Sequence, residues 1–311
     1  MAAIVAYRGD PSNEPGPILR KGGPAMLSAL LRGCSVEVAP RDRASLQAAI
    51  SQLAPGTLAF IPAIAGRAAR EQVEVARALK SAGLIPVPHI AARDFRNRST
   101  LGRHLRDLSR EAGVVQALLL AGDRRQPVGE FHDSQQMIGS GLLQDHGFRG
   151  IAIATYPEGH PNISSDVLEM ALLRKLAAAR AGNLAVELVT QFCPDPTAIV
   201  RFARELRRQG VVAPLRIGVA GVARRASLLK YALLCGVGPS INLLRKPHAL
   251  IGACRIRETP ATVLTATAEA MSDHSDLDIG AVHFFTFGSL ARTARWIRER
   301  CATTTSRDAD F

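Results

Sequence analysis

Eight short apolar runs, each of strand length and each followed by a longer segment of helical period, constrain this chain more than any other feature. The runs cover residues 35–39, 57–62, 85–89, 115–120, 150–155, 186–191, 215–219 and 282–287. The helical segments cover 44–53, 67–82, 100–112, 134–144, 164–181, 196–209, 224–234 and 290–300. Such alternation predicts parallel strands joined by crossover helices. Eight alternations predict closure, since the eighth strand can then pair with the first and leave no open edge. The expected fold is therefore an α/β (β/α)8 TIM barrel. An open doubly wound sheet is the alternative, but its nucleotide-binding form wants Gly-x-Gly-x-x-Gly after the first strand. Here Glu37-Val38-Ala39-Pro40 stands in that place.

Local signals agree with the helix assignments. Ser99 precedes one helix, Asp195-Pro196 opens another, and Gly147, Gly182 and Gly210 sit where helices should stop. Residues 1–30 are expected to form an N-terminal arm, 31–301 the barrel and 302–311 a flexible tail. Residues 220–281 are too long for one connection and predict a helical insertion between strands 7 and 8. Its Gly236-Val237-Gly238-Pro239-Ser240 suits a helix-to-helix turn, or a phosphate cradle of the kind barrels keep near their last strands.

Composition narrows the function classes. The formal charge of +12 is carried mostly by arginines scattered along the helices, with no tract interleaved with aromatics. Nucleic acid is not the expected partner, since its recognition needs a patch; an acidic small molecule fits better. Five cysteines, Cys34, Cys193, Cys235, Cys254 and Cys301, are odd in number and form no Cys-x-x-Cys pair, so neither a disulfide framework nor a metal site is expected. No leader and no apolar run of membrane-spanning length is evident, so a cytoplasmic location away from membranes is expected.

Barrel enzymes place their chemistry at the C-terminal ends of the strands. Glu37 lies within the first strand, where burial would raise its pKa and suit it to donate a proton near neutral pH; pairing with a structural arginine is the other outcome. His89 ends the third strand. Asp123 follows the fourth, preceded by Gly122, which permits close backbone approach by a ligand. The fifth strand runs into Tyr156-Pro157-Glu158-Gly159-His160-Pro161-Asn162, where two prolines stiffen a loop bearing a phenol, a carboxylate and an imidazole. Gln191 ends the sixth strand beside Phe192, an amide and an aromatic face suited to a flat heterocycle. No His-x-His and no Gly-x-Ser-x-Gly occurs, and Asp133 or Ser134 reads as a helix cap.

The Tyr156-Pro157-Glu158-Gly159-His160-Pro161 segment resembles the Tyr-Pro-Glu-x-His-Pro of the methylenetetrahydrofolate reductase family. Ser35-Val36-Glu37-Val38-Ala39-Pro40, Pro88-His89, Gly122-Asp123, Thr190-Gln191-Phe192 and Gly218-Val219 resemble the family's other strand ends, in the same order. The resemblance spans about residues 33–300. It implies reduction of 5,10-methylenetetrahydrofolate to 5-methyltetrahydrofolate by FAD, with NADH or NADPH as the reductant. By the same resemblance Glu37 protonates N10, Asp123 stabilises the resulting cation, and Gln191 and Phe192 bind the pterin. His89, Gly122, Tyr156, His160 and Lys175 then line the flavin. Ala121, Ile61-Pro62-Ala63, Leu168, Ala171 and Cys193-Pro194 depart from the family pattern, mainly on the flavin side. Direct hydride transfer without flavin is one alternative; a folate- or flavin-binding partner without turnover in one-carbon demethylation is another. A tetrahydrofolate derivative and a nicotinamide nucleotide are the expected partners, with a homo-oligomer allowed.

Overall fold

A computed structural model describes residues 23–39, 43–64, 66, 68–224, 227, 228, 230 and 257–308. Eight parallel strands close into a barrel: β1 (Ser35–Glu37), β2 (Leu58–Ile61), β3 (Ile85–Ala91), β4 (Gln116–Leu120), β5 (Gly150–Thr155), β6 (Ala185–Phe192), β7 (Leu215–Ala220) and β8 (Ile279–Phe285). Each strand pairs with its neighbours in sequence, and β8 returns to β1 through Ser35↔His283 and Val36↔Phe284. The expected barrel is thus the observed one. Strands with both faces covered read as near-continuous apolar runs, which is why all eight stand out in the sequence.

The helices are α1 (Gly23–Arg32), α2 (Arg43–Ile50), α3 (Ala69–Ser81), α4 (Arg98–Ala112), α5 (Ser134–Gly139), α6 (Leu142–Asp145), α7 (Ser165–Ala181), α8 (Pro196–Arg208), α9 (Ala261–Asp273) and α10 (Leu290–Asp308). The main core lies between strands and helices, where Ile61, Ile90, Leu119, Ile153 and Ile217 meet Leu79, Leu105, Leu108, Ile199 and Leu264. A smaller apolar cluster of Leu58, Phe60, Val87, Leu118, Ala152 and Val189 fills the barrel interior. No helix among the described residues is long and apolar enough to cross a membrane.

Several boundaries differ from expectation. Asn97, not Ser99, caps α4: its side chain accepts from the Thr100 amide while the Thr100 hydroxyl accepts from the Asn97 amide. That reciprocal pair satisfies donors that Ser99 would leave open. The segment 134–144 is two helices, split at Gly141, whose φ of 79° a helix cannot continue. The expected arm is shorter than residues 1–30, because α1 buries Leu30 and Leu31 in the core; residues 1–22 lie outside the described residues. Helix α10 runs on to Asp308, past the expected start of the tail at 302. Within the insertion, Ala223–Arg224 pairs antiparallel with Arg257–Glu258, followed by α9. The Gly236 to Ser240 turn and most of the helix expected over 224–234 lie outside the described residues.

Candidate active site

The C-terminal rim of the barrel collects most of the residues singled out from the sequence. Glu37 closes β1. Its carboxyl has no ion pair or side-chain hydrogen bond among the described residues, so burial alone acts on it and pushes its pKa up to about 7. The backbone there is fixed, since Thr286 Oγ1 donates to the Glu37 carbonyl at 2.9 Å. A carboxyl that is half protonated near neutrality can give up a proton and take one back, as a general acid must.

Going round the rim from Glu37 by way of β8 and β7 to β6, the next groups are aromatic rings and a glycine. Phe285 stacks on Phe287, with centroids 6.0 Å apart and planes 16° apart, and Phe287 meets the edge of Phe192 at 5.5 Å. Gly218 of β7 underlies them: a Cβ there would fall 2.4 Å from the Thr190 carbonyl and 2.6 Å from the Phe285 ring. Gln191 stands beside this wall. Its Oε1 accepts from the Phe192 amide at 2.9 Å, which fixes the side chain and leaves its NH2 to donate to a ligand. An acid, an aromatic wall and an oriented amide therefore share one arc of the mouth.

The other arc runs from β3 to β5. His89 is buried, and burial pulls its pKa down to about 3, so it stands neutral. Its Nε2 is enclosed with no hydrogen-bond partner among the described residues, an arrangement that costs free energy until a ligand supplies one. After β4, Gly122 adopts φ 95° and lies so near β3 that a Cβ would sit 2.9 Å from the Ala91 Cβ. We expect Gly122→Ala to cost roughly 1–3 kcal/mol through that strain, seen as a lower urea midpoint with unchanged slope. An unchanged midpoint would show that the loop relaxes freely.

Asp123 itself is exposed, with its charge close enough to act on Tyr156. Burial chiefly, and the Asp123 carboxylate in addition, raise the Tyr156 phenol above its usual range. Tyr156 meets His160 edge-on at 5.3 Å, and His160 Nδ1 accepts from the Asn162 amide at 3.2 Å, so the loop after β5 holds both rings in one cluster. Lys175 of α7 lines a cavity of about 450 Å³ together with Tyr156, Glu158, Leu168, Ala171 and Arg201. Burial lowers its pKa, while Asp133 opposes the shift. A second cavity, of about 510 Å³, opens between the β2 loop and β3 and is bounded by His89, Gln72, Asp94 and Arg124. Gln72 spans its floor, donating to the Ile61 and His89 carbonyls and sharing a hydrogen bond with His104 at 2.9 Å.

Three interior residues were not singled out from the sequence. His283 of β8 shares a 2.9 Å hydrogen bond with Ser35 and packs 4.7 Å from both Phe60 and Phe285, and burial first, then the charges of its neighbours, keep it neutral. Glu187 and Arg216 form an ion pair inside the barrel. The signal was present as a polar residue at an inward position of an apolar run, but the strand phase that identifies inward positions is set only by closure.

Comparison with known proteins places this geometry. Among solved structures the chain is similar to dihydropteroate synthase from Thermus thermophilus, with 15% identity over 89% of this chain and 93% of that one and a TM-score of 0.43. It is also similar to deoxyribose phosphate aldolase from Aeropyrum pernix, with 8% identity over 88% and 91% and a TM-score of 0.45. Neither likeness carries an argument about chemistry. The sequence model of methylenetetrahydrofolate reductase matches residues 51–294, well over half of the chain, a span that holds the strand-end motifs from Pro88-His89 to Gly218-Val219 and begins after the Ser35 to Pro40 segment. The chain belongs to the methylenetetrahydrofolate reductase family.

Proposed function

We propose that this chain reduces 5,10-methylenetetrahydrofolate to 5-methyltetrahydrofolate at the expense of NADH or NADPH, with Glu37 as the general acid. The family is one of folate-related reductases, and the observation that carries the finer reading is the unpaired Glu37 carboxyl at the β1 end, held near pKa 7 by burial. In the proposed step Glu37 gives its proton to N10. The bond from the methylene carbon to N10 breaks with its electron pair going to N10, leaving an N5 iminium cation. Hydride addition to the methylene carbon then gives the 5-methyl product, and the nicotinamide that supplied the hydride is left oxidised. The exposed Asp123 carboxylate stabilises the cation electrostatically. The free Gln191 NH2 and the Phe192 ring orient the pterin.

The residues of the second arc fit a flavin ring. The buried, unpartnered His89 Nε2 offers a polar contact, Gly122 allows close backbone approach, and Tyr156, His160 and Lys175 complete the lining. FAD bound there would carry hydride between nicotinamide and folate. A second reading, direct transfer without flavin, is favoured by Leu168 and Ala171, which present apolar atoms to the cavity that Lys175 lines.

The test is the visible spectrum of the purified protein together with NAD(P)H oxidation in the presence and absence of methylenetetrahydrofolate. A flavin band and folate-dependent oxidation are expected. A colourless protein that still reduces the folate would establish the direct route. Folate binding without any oxidation of either nucleotide would overturn the enzymatic reading and leave a non-catalytic binding partner.

A further inference from the structure

A cavity of about 620 Å³ opens at the end of the barrel opposite the rim that carries Glu37 and Asp123. The strands begin here: Leu58 starts β2, Ala185 starts β6 and Pro214 precedes β7, and all three line the cavity. Its mouth lies between the second half of α7 and the turn at 209–214, and its walls are apolar, with Leu176, Leu184 and Val211 on the near side and Leu58 on the far one. In the closed order β2 stands four strands from β6, so the cavity passes beneath the strand ends to the opposite wall. Barrel enzymes keep their chemistry at the other end. Whatever fills this space is not the substrate of the rim.

Polar groups at the two ends of the cavity indicate the occupant. Glu187 of β6 lines its inner end and keeps 11% of its side chain exposed. Nε and Nη2 of Arg216 both fall on Glu187 Oε1, at 3.0 and 2.8 Å, and Oε2 accepts from no group among the described residues. At the same end of the barrel interior Gln116 of β4 is 4% exposed, and its Nε2 is enclosed with no partner among the described residues. Gln116 is in register with Gly150 and, through it, with Ala185 of the cavity wall, so no side chain stands between them. An acceptor and a donor therefore go unmet here, which costs free energy until a ligand meets them. A hydroxyl both donates and accepts. An ammonium has no lone pair for the amide and would face the Arg216 charge. At the mouth Arg180 of α7 lines the cavity, exposed and in no ion pair among the described residues, a fork that suits a carboxylate.

We propose that this cavity is a second small-molecule site, one that takes an amphipathic hydroxy acid with its hydroxyl on Glu187 Oε2, its apolar body between the leucines and its carboxylate at Arg180. The volume is that of an ordinary ligand pocket, and apolar walls with a few placed polar groups are the usual composition of one.

Calorimetric titration of the full chain with para-hydroxyphenylpropanoate tests this, with phenylpropanoate and para-propylphenol as probes that each lack one polar end. One hydroxy acid is expected to bind per chain. Loss of the hydroxyl should weaken binding about tenfold or more, since its partner is a buried carboxylate, and loss of the carboxylate only severalfold, since its partner is exposed. Ala177→Trp fills the mouth from an exposed position and is expected to abolish binding; Arg180→Glu should weaken it as loss of the carboxylate does. Both variants should keep the circular dichroism of the wild type. Gln191→Ala, at the other end of the barrel, should leave the affinity unchanged. The absence of binding at millimolar probe would overturn the proposal. So would equal affinity for phenylpropanoate, or binding that Ala177→Trp spares and Gln191→Ala removes, which would put the probe at the rim instead.

Discussion

Glu37→Gln is expected to lower methylenetetrahydrofolate reduction by roughly 10²–10⁴-fold, the usual worth of a positioned general acid, while making the protein more stable above pH 7. Both effects have one cause. Glutamine keeps the shape of the side chain but has no proton to give N10. It also has no charge to bury, whereas the native carboxyl has its pKa raised from 4.5 to about 7 by desolvation. Between those values the folded protein holds a proton that the unfolded chain has released, so this group's contribution to stability falls as pH rises through the window. Above pH 7 the whole penalty, roughly 3 kcal/mol, is present; below about pH 4.5 both states are protonated and it vanishes. His89 acts with the opposite sign. Its folded pKa is lowered to about 3, so the stability it contributes is present near neutrality and is lost as pH falls from 6.5 toward 3. The measurement is therefore the difference between variant and wild type, in which the His89 contribution cancels. Urea midpoints at pH 5 and pH 8 and single-turnover reduction of the folate check the two halves separately. Retained folate reduction would sink the acid assignment; an equal midpoint difference at both pH values would show that the carboxyl is not desolvated.

The barrel was legible because its strands are buried on both faces, which writes each of them as an unbroken apolar run. The strand ends were legible for the same reason: a Glu, a His or a Gln closing such a run is conspicuous. Boundaries were less so. Strand β8 starts at Ile279, three residues before the expected start at 282, because the small residues Gly280 and Ala281 near its beginning do not read as strand. It ends at Phe285, and Phe287 takes a positive φ of 46° outside the sheet, which turns its ring onto Phe192 and Phe285. Asn97 and Ser99 are both competent caps, and what selects Asn97 is the reciprocal bond with Thr100. The clustering of Tyr156, His160 and Asp123 followed from their being at the ends of adjacent strands. The interior polar groups did not follow from anything local. Arg216 stands in an apolar run like any charged residue on a solvated face, and only the closed barrel shows that it points inward against Glu187.

That pair carries the largest stability effect expected of any substitution away from the rim. Arg216 is 1% exposed and belongs to β7, yet its guanidinium reaches three other strands or their flanks. Nη2 and Nε donate to Glu187 Oε1 of β6 at 2.8 and 3.0 Å, and Nη1 donates to the Gly33 carbonyl at 2.6 Å, to Ser35 Oγ of β1 at 3.3 Å and to the Val282 carbonyl of β8 at 3.4 Å. It thus ties together the strands on either side of the seam where the barrel closes. Glu187→Ala would leave a guanidinium that cannot deprotonate in a place water does not reach, and a loss of about 3–5 kcal/mol is expected. Arg216→Met should cost less, because the stranded Glu187 can take up a proton and become neutral. The double change to Glu187→Leu and Arg216→Met removes both charges and fills the volume with apolar atoms, and buried pairs replaced in this way are often neutral or better. The expected order of urea midpoints is therefore wild type and double variant highest, Arg216→Met between, Glu187→Ala lowest. A double variant as unstable as Glu187→Ala would show that the pair contributes more than the mutual cancellation of two buried charges, and that the four-strand hydrogen bonding of Arg216 is itself what closes the barrel.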